Sequence, residues 1–218
     1  MSHKVRRNKL QESMSNKSKI IIVRHGESLT NLTDTVTGWN GCELSEKGHK
    51  QVELLGKALK DEPIDMILSS DLNRAKQTTA AIAKYHNVDT RFIEALRERS
   101  YGVFDGKPFD DFYKEQEASG EDFFSYRPKD GESPKSLLIR ASNFWRFWAS
   151  EATNKTLLIS AHGTFNKILL MFWLGKTFED WESLKQDNAC INIISRNEKN
   201  VFVSNKINDT SHLASLKN

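Results

Sequence analysis

The chain has 218 residues, of which 38% are hydrophobic and 28% charged, and its formal net charge is +3. This length and balance predict one globular domain with a sizeable core, or one domain that carries an insertion. The most apolar stretch, residues 168–174, is too short to cross a membrane. Cys42 and Cys190 are far apart and form no CxxC motif, so the sequence indicates neither a zinc site nor a disulfide framework and predicts a reducing, cytoplasmic compartment.

The basic excess of the chain lies at its start. Residues 1–18 hold five lysines and arginines against one glutamate, so the rest of the chain is close to neutral. We expect a flexible basic leader over 1–18, with Met14 as an alternative start, and a single domain over 19–218. Because the basic charge belongs to the leader, neither nucleic acid nor a membrane is an expected partner. The leader lacks the apolar segment of a secretory signal.

The first half of the chain contains two buried strands. Residues 20–23 are a β-branched apolar run that stops at Arg24 and His25, and residues 64–68 are a second such run. A polar loop to residue 43 follows the first strand, and Ser45 is the expected N-cap of a helix to about residue 60. A helix from Arg74 to about residue 86 follows the second strand.

A third strand is predicted near 88–93, and the charged stretch 94–102 after it is a loop that carries Glu98. Residues 104–132 are rich in aromatic and acidic side chains, include a predicted helix over 108–118, and form the expected lid or insertion. Ser133 as N-cap and Pro134 at the first helical position then begin a helix to about residue 152.

A fourth buried strand, 156–159, ends near His162 and precedes a helix over 165–174. The last two strands, 191–195 and 201–204, are separated by a polar stretch that suits a hairpin. Strands that alternate with helices predict a three-layer α/β/α sandwich with a mainly parallel central sheet and an antiparallel edge strand.

Cations and imidazoles follow the ends of these strands. Because the carboxyl ends of parallel strands meet at one edge of a sheet, we expect the side chains there to share one site. Two arginines and two histidines suit a dianion such as phosphate, and the helix that starts after Gly163 adds backbone donors. The set comprises Arg24, His25, Arg74, His162 and, on its own loop, Glu98.

This set can perform phosphoryl chemistry. A neutral His25, with its second ring nitrogen held protonated by a carbonyl, can attack phosphorus in line. Glu98 is the candidate proton donor and Glu94 its rival, while a protonated His162 would join the arginines in stabilising charge. The structural alternative is a salt bridge between Glu98 and its arginine neighbours. No carboxylate cluster suits a metal, and we expect neither a metal nor another cofactor.

Five motifs in order carry a resemblance to a known family. They are RHGE at 24–27 with Asn31, TGW at 37–39 with LSEKG at 44–48, SSDLNRA at 69–75, LRERSYG at 96–102 and AHG at 161–163. Over about residues 19–194 the chain resembles the histidine phosphatase superfamily, the phosphoglycerate-mutase-like proteins. The resemblance implies that His25 is phosphorylated, that Glu98 donates the proton, and that phosphate is bound by Arg24, Arg74, His162 and Asn31. Thr37, Gly38 and Gly163, which belong to the same motifs, are expected to bind substrate.

Two departures from the mutases of that family favour a phosphatase. The mutases carry paired arginines in an insertion after the acid loop, whereas residues 107–129 hold only Arg127, and they usually follow His-Gly with Asn, where this chain has Thr164. We therefore expect hydrolysis of small phosphomonoesters, including sugar phosphates, by a monomer or homodimer whose partner is a small phosphorylated metabolite. The alternatives are a cofactor-dependent phosphoglycerate-type mutase and a non-catalytic member that binds a phosphorylated ligand.

Overall fold

The computed structural model describes residues 18–199 and 201–216. Six strands form one sheet in the order β3-β2-β4-β1-β5-β6. The four strands from β3 to β1 are parallel, β5 is antiparallel to β1, and β6 is antiparallel to β5. The strands are β1 Lys19–Arg24, β2 Met66–Ser70, β3 Asp89–Ile93, β4 Thr156–Ala161, β5 Ile191–Arg196 and β6 Phe202–Asp209.

Helices cover both faces of this sheet. The α-helices of the described residues are α1 Glu46–Leu59, α2 Asn73–Ala83, α3 Phe109–Ser119, α4 Pro134–Trp148 and α5 Gly163–Leu174. Short 3-10 helices lie at Leu29–Leu32, Glu94–Leu96, Gly102–Phe104, Phe178–Ser183 and Ser211–Leu216. Among these described helices, none combines the length and apolar content needed to cross a bilayer.

The side chains of β1 alternate between two cores. Ile20 and Ile22 pack in the larger core with residues of α4 and α5, and Ile21 and Val23 pack in the other with residues of α1 and α2. Full burial of each such side chain stabilises the fold by about 1.5–3 kcal/mol. The predicted three-layer sandwich is confirmed, and its antiparallel edge consists of two strands.

Two predicted helix starts are present and one predicted end is too late. Ser45 Oγ accepts a hydrogen bond from Gly48 N at 3.0 Å, and Ser133 Oγ accepts one from Ser136 N at 3.1 Å. The helix that begins at Pro134 ends at Trp148, because residues 150–154 are turns that lead into a left-handed Asn154 with φ of 57°.

The third strand, β3, is an exposed edge on which Phe92 is 52% exposed.

The boundary of the predicted leader needs a small correction. Ser18, its last residue, is buried, and its hydroxyl oxygen accepts a hydrogen bond from Asn154 N at 3.2 Å. Its carbonyl accepts one from Arg196 N at 3.2 Å, so Ser18 belongs to the fold. Residues 1–17 lie outside the described residues, as does Asn200 in the predicted hairpin turn.

Candidate active site

His25 stands at the carboxyl end of β1, where the buried apolar run stops. Its Nδ1 lies 2.7 Å from the carbonyl oxygen of Gly26, so we assign the ring proton to Nδ1 and a lone pair to Nε2. Burial, helped by the charges of Arg74 and Arg24, holds the pKa of His25 well below its ordinary value of 6.5. The imidazole is therefore neutral at pH 7, in the form that the sequence predicted for a nucleophile.

Gly26 allows the turn after β1 to approach α1 closely. A Cβ at this position would lie 2.7 Å from the carbonyl oxygen of Gly48 and 2.8 Å from Val52, both of which belong to α1. Any larger residue would push apart the strand end and the helix that packs against it. The glycine thus fixes where β1 ends and where the ring of His25 starts.

Arg74, in the first turn of α2, is only 1% exposed and contacts His25 directly. Its Nε donates a hydrogen bond to His25 Nε2 at 3.2 Å, and its Nη1 and Nη2 donate to the carbonyls of Asn40 and Gly38 at 3.2 and 2.9 Å. Burial lowers the pKa of Arg74, yet a guanidinium stays charged at neutral pH. A buried cation is therefore fixed beside the ring nitrogen that would attack.

Arg24 and His162 bring unused polar atoms to the same place. Arg24 Nη1 donates to the carbonyl of Gln186 at 2.6 Å, whereas its buried Nε has no partner among the described residues. The rings of His162 and His25 lie 5.1 Å apart, and His162 Nε2 lies 2.8 Å from the hydroxyl of Ser70. His162 Nδ1 is also buried without a partner in the described chain. Unsatisfied buried polar atoms are costly, so two of them beside a nucleophile point to a bound ligand.

The predicted protonation of His162 concerns the complex with a phosphoryl group and stays a prediction. Burial, together with the nearby charge of Arg74, lowers the pKa of His162 well below 6.5, and the ring is neutral at pH 7. Only a bound anion would favour its charged form. His162 thus enters the site as a neutral ring at the N-cap of α5, directly after β4.

Glu98 occupies the amino terminus of α5. One carboxylate oxygen, Oε1, accepts hydrogen bonds from Arg99 N at 2.8 Å and Phe165 N at 3.0 Å, and Oε2 accepts one from Thr164 N at 3.0 Å. The sequence predicted these helix donors for phosphate, but the structure gives them to the carboxylate of Glu98. Both ligands are anions, and the positive end of the helix dipole stabilises either one.

The loop that carries Glu98 is held from two sides. Its carbonyl accepts hydrogen bonds from Trp39 Nε1 at 2.8 Å and from Arg140 Nη2 at 2.9 Å. Arg140 also donates twice to the carboxylate of Glu132, a bidentate pair at 2.7 and 2.9 Å. These bonds fix the backbone of Glu98 relative to α4.

The alternative of a salt bridge around Glu98 is not supported. Arg97 pairs with Asp71 at 2.6 Å and with Glu94 at 3.1 Å. Arg99 is fully buried and donates to the carbonyls of Tyr126 and Glu132 at 3.1 and 2.7 Å. Glu94, the rival for the acid role, has a 65% exposed side chain. The carboxylate beside the histidines therefore belongs to Glu98.

These groups line a cavity of about 290 Å³. Seven predicted residues line it: Asn31, Thr37 and a group that we call the floor, namely Arg24, His25, Arg74, Glu98 and Gly163. His162 is fully buried against the ring of His25, and Gly38 lies behind Arg74. The structure thus brings the nine predicted residues together, although Gly38 contacts Arg74 and is not part of the cavity wall.

The outer wall of the cavity was not predicted as a site. It consists of the aromatic residues Tyr101, Phe109, Tyr113, Phe123 and Trp181, and of Lys167. Burial raises the pKa of Tyr101 to about 12, so its hydroxyl keeps its proton.

Lys167 places its Nζ 4.6 Å from the ring centre of Trp181. It lies four residues after Gly163 on a predicted helix, and that spacing puts both on one helix face. The sequence therefore contained a signal for this third cation.

No group of three or more histidine, cysteine, aspartate or glutamate residues within the described ranges is arranged to hold a metal ion. Glu98, the acidic residue in the cavity lining, accepts backbone N–H groups with both carboxylate oxygens. The ligands that this donor set fits are anions.

Comparisons with known proteins agree with the geometry. A broad-specificity phosphatase of Saccharomyces cerevisiae is 28% identical over 204 residues, which cover 89% of this chain and 87% of that protein. A 2,3-bisphosphoglycerate-dependent phosphoglycerate mutase of Mesorhizobium japonicum is 29% identical over 202 residues, which cover 86% and 97%. The solved structure of a phosphoserine phosphatase from Entamoeba histolytica, in complex with 3-phosphoglyceric acid, superposes with a TM-score of 0.78 at 26% identity, covering 89% and 98%.

The sequence pattern of the histidine phosphatase superfamily (branch 1) matches residues 20–210, which include all of the sheet except Lys19 and every residue of the site. The family expected from the motifs is thereby confirmed. The chain belongs to branch 1 of the histidine phosphatase superfamily.

Proposed function

We propose that the protein is a metal-independent phosphatase that hydrolyses small phosphomonoesters through a phosphohistidine at His25. One observation carries the proposal. The neutral ring of His25 lies on a cavity floor between Arg24 and Arg74, and a carboxylate, Glu98, lines the same cavity. This arrangement supports the roles of nucleophile for His25, anion clamp for the arginines and proton carrier for Glu98.

In the first step, the lone pair of His25 Nε2 attacks phosphorus and the bond to the ester oxygen breaks. Arg74 now donates to that nitrogen, so phosphoryl oxygens must take over the Nε–H bond before attack. The unpartnered Nε–H of Arg24 is available to the same oxygens. Glu98 Oε2, which accepts from Thr164 N alone, takes up a proton when the phosphoryl dianion binds beside it and gives that proton to the departing alkoxide.

In the second step, water attacks the phosphohistidine. Glu98, now ionised, accepts the proton of that water, and the bond between His25 Nε2 and phosphorus breaks to release inorganic phosphate. The arginines stabilise charge on the transferring group in both steps. The cycle returns His25 to its neutral form, and the proton taken from water stays on Glu98 for the next departing group.

The mutase alternative has less support from this site. Arg127 donates from Nε to the carbonyl of Gly131 at 2.8 Å, within its own segment. Thr164, where mutases usually carry Asn, lines the cavity beside Glu98. The cation on the outer wall is Lys167, which belongs to α5 and not to an insertion after the acid loop. We therefore favour water as the acceptor.

We infer that the substrate carries a second anionic group. Arg24 and Arg74 serve the phosphoryl group, whereas Lys167 lies on the aromatic outer wall. Burial lowers the pKa of Lys167, and the facing carboxylate of Glu182 opposes that effect. A phosphorylated carboxylic acid or a bisphosphate would place its second anion near Lys167, and the structure of the Entamoeba relative contains such an acid.

Replacing Lys167 with methionine is expected to raise KM for 3-phosphoglycerate about tenfold, because a charged hydrogen bond contributes about 1.5–3 kcal/mol. KM for phenyl phosphate, which has no second anion, should stay within about twofold. Steady-state kinetics with both substrates check this. Lys84→Met, which removes an exposed lysine paired with Glu53, is the control. Equal losses for both substrates would contradict the role of Lys167.

A panel of phosphomonoesters tests the proposed function itself. We expect the wild-type protein to release phosphate steadily from several of them in excess EDTA. Transfer between phosphoglycerates that requires 2,3-bisphosphoglycerate would support the mutase instead. Binding without phosphate release, and without a phosphohistidine, would support the non-catalytic alternative.

We propose further that residues 104–132 form a lid, since Phe109, Tyr113 and Phe123 of this segment line the cavity.

The cytoplasmic location, the monomeric or homodimeric state and the lack of a nucleic-acid partner stay predictions. Both cysteines are free, as a reducing compartment requires. Size-exclusion chromatography would measure the oligomeric state.

A further inference from the structure

We propose that Asp105 is a positioning residue that holds both the arginine clamp and the acid loop in place before substrate binds. This inference rests on the proposed function for its consequence, but its geometry stands alone. The Asp105 carboxylate accepts three consecutive backbone N–H groups, those of Gly38 at 2.7 Å, Trp39 at 2.8 Å and Asn40 at 3.1 Å. We call residues 38–40 the clamp loop.

The clamp loop passes this restraint to Arg74. The carbonyls of Gly38 and Asn40 accept the two terminal nitrogens of Arg74, at 2.9 and 3.2 Å. The third nitrogen, Nε, then points at His25 Nε2. Three N–H groups of the clamp loop thus bind Asp105 while two of its carbonyls bind Arg74, so a shift of the loop moves the guanidinium.

The same loop reaches Glu98. The indole Nε1 of Trp39 donates to the carbonyl of Glu98 at 2.8 Å, and the ring of Trp39 stacks with the guanidinium of Arg97 at 4.8 Å. A Cβ at Gly38 would lie 2.9 Å from the carbonyl of Arg99, so the clamp loop packs tightly against the acid loop. One carboxylate thereby restrains the cation on one side of the cavity and the acid on the other.

Asp105 itself is anchored by backbone bonds on both sides. Its N–H donates to the carbonyl of Gly102 at 3.1 Å, Gly106 N donates to the carbonyl of Val36 at 2.9 Å, and Val36 N donates to the carbonyl of Lys107 at 2.8 Å. These bonds tie the start of the segment 104–132 to the strand-like residues before the clamp loop. Because the anchor is rigid, the carboxylate can position its partners.

An amide cannot replace this carboxylate. An ionised carboxylate only accepts, whereas asparagine offers one accepting oxygen and an NH₂ group that would face N–H donors. Asp105→Asn therefore leaves buried or half-buried N–H groups without a partner and frees the clamp loop. Misplacement of a catalytic group by about 1 Å can cost about 100-fold in rate.

We expect Asp105→Asn to lower kcat/KM for phenyl phosphate about 100-fold and to weaken the binding of inorganic phosphate about tenfold. The binding is followed by the fluorescence of Trp39 and the other tryptophans. Asp65→Asn, which removes a carboxylate that accepts Thr156 N at 2.7 Å at the opposite edge of the sheet, is the matched control and should stay close to wild type. Asp105→Ser is the second variant if the amide prevents folding.

The pH profile separates positioning from a general loss of structure. The charged and titratable groups that face His25 are Arg24 from β1, Arg74 from α2, His162 from β4 and Glu98 from the acid loop. The charge of Arg74 helps to keep His25 neutral. In Asp105→Asn a displaced Arg74 lets His25 take up a proton more easily, so the acidic limb of kcat/KM should move to higher pH. Simple destabilisation would lower the melting temperature without moving that limb.

A double-mutant cycle with Arg74→Lys completes the test. If Asp105 acts through Arg74, its replacement should cost much less in the Arg74→Lys background than in the wild type. Additive losses together with unchanged phosphate affinity would overturn the proposal. If the wild type binds phosphate but hydrolyses no ester, the proposed function fails, while the phosphate affinity of Asp105→Asn still decides the role of Asp105.

Discussion

Replacing His25 with alanine should lower kcat for phenyl phosphate at least about 10⁴-fold, because the attacking nitrogen is lost while the arginine clamp stays. The neutral ring, fixed by the bond from Nδ1 to the Gly26 carbonyl, has no substitute in the cavity. Phosphate release measures the loss. Rapid quenching of the wild type with a ³²P-labelled ester should trap a label that survives alkali and is lost in acid, as phosphohistidine is, and the variant should show none.

His49→Ala is the matched control for this experiment. His49 is an exposed histidine on α1, and its removal should leave both the rate and the label unchanged. Binding of inorganic phosphate to His25→Ala reports whether the clamp is still formed. Full activity, or a label that persists in His25→Ala, would show that another residue is the nucleophile.

The floor of the site could be predicted because it follows from a strong pattern. Apolar β-branched runs mark buried strands, and Arg24 and His25 stand at the very end of one, as His162 does at the end of another. Parallel pairing of β1 with β4 in register then brings these two ends side by side, with Arg24 opposite Ala161. These two strand ends are more than 130 residues apart in the chain. Their meeting could still be predicted, because the hydrophobic pattern identifies both strands and parallel strands end at the same edge of a sheet.

The walls could not be predicted in the same way, because they depend on bonds between loops. Asp105 reaches the clamp loop across 65–67 residues, and Glu98 reaches Thr164 N across 66 residues. Loops have no hydrophobic periodicity, so the sequence pattern does not predict which loops contact each other. The motif carried Glu98, but nothing in its spacing indicated that the helix donors after Gly163 would bind this carboxylate instead of the phosphoryl group.

That placement of Glu98 has a mechanistic meaning. The backbone donors of α5 and Arg99 hold the carboxylate of Glu98, while the proposed mechanism assigns the phosphoryl group to Arg24 and Arg74. The acid therefore belongs to the loop that α5 caps, and the clamp belongs to α2 and β1. A variant at Glu98 should impair proton transfer and leave phosphate binding almost intact, whereas a variant at Arg74 should impair both.

Replacing Glu98 with glutamine should lower steady turnover about 10²–10⁴-fold, the usual contribution of a general acid or base. The loss should depend on the leaving group. With 4-nitrophenyl phosphate, whose phenolate leaves without a proton, the first step survives, and a burst of about one nitrophenolate per active site should precede slow turnover. With an alkyl phosphate, whose alkoxide needs a proton, no burst should form, because the first step itself is slow.

The amide at position 98 also faces the N–H of Thr164 with its own donors, at a cost of about 1–3 kcal/mol in the free energy of unfolding. Denaturant titration measures that cost, and unchanged affinity for inorganic phosphate shows that the clamp is intact. Glu98→Asp, which keeps an acid but shortens its reach, should recover part of the alkyl phosphate rate. Equal losses for both leaving groups, without a burst, would mean that Glu98 only holds the amino terminus of α5 and that another group carries the proton.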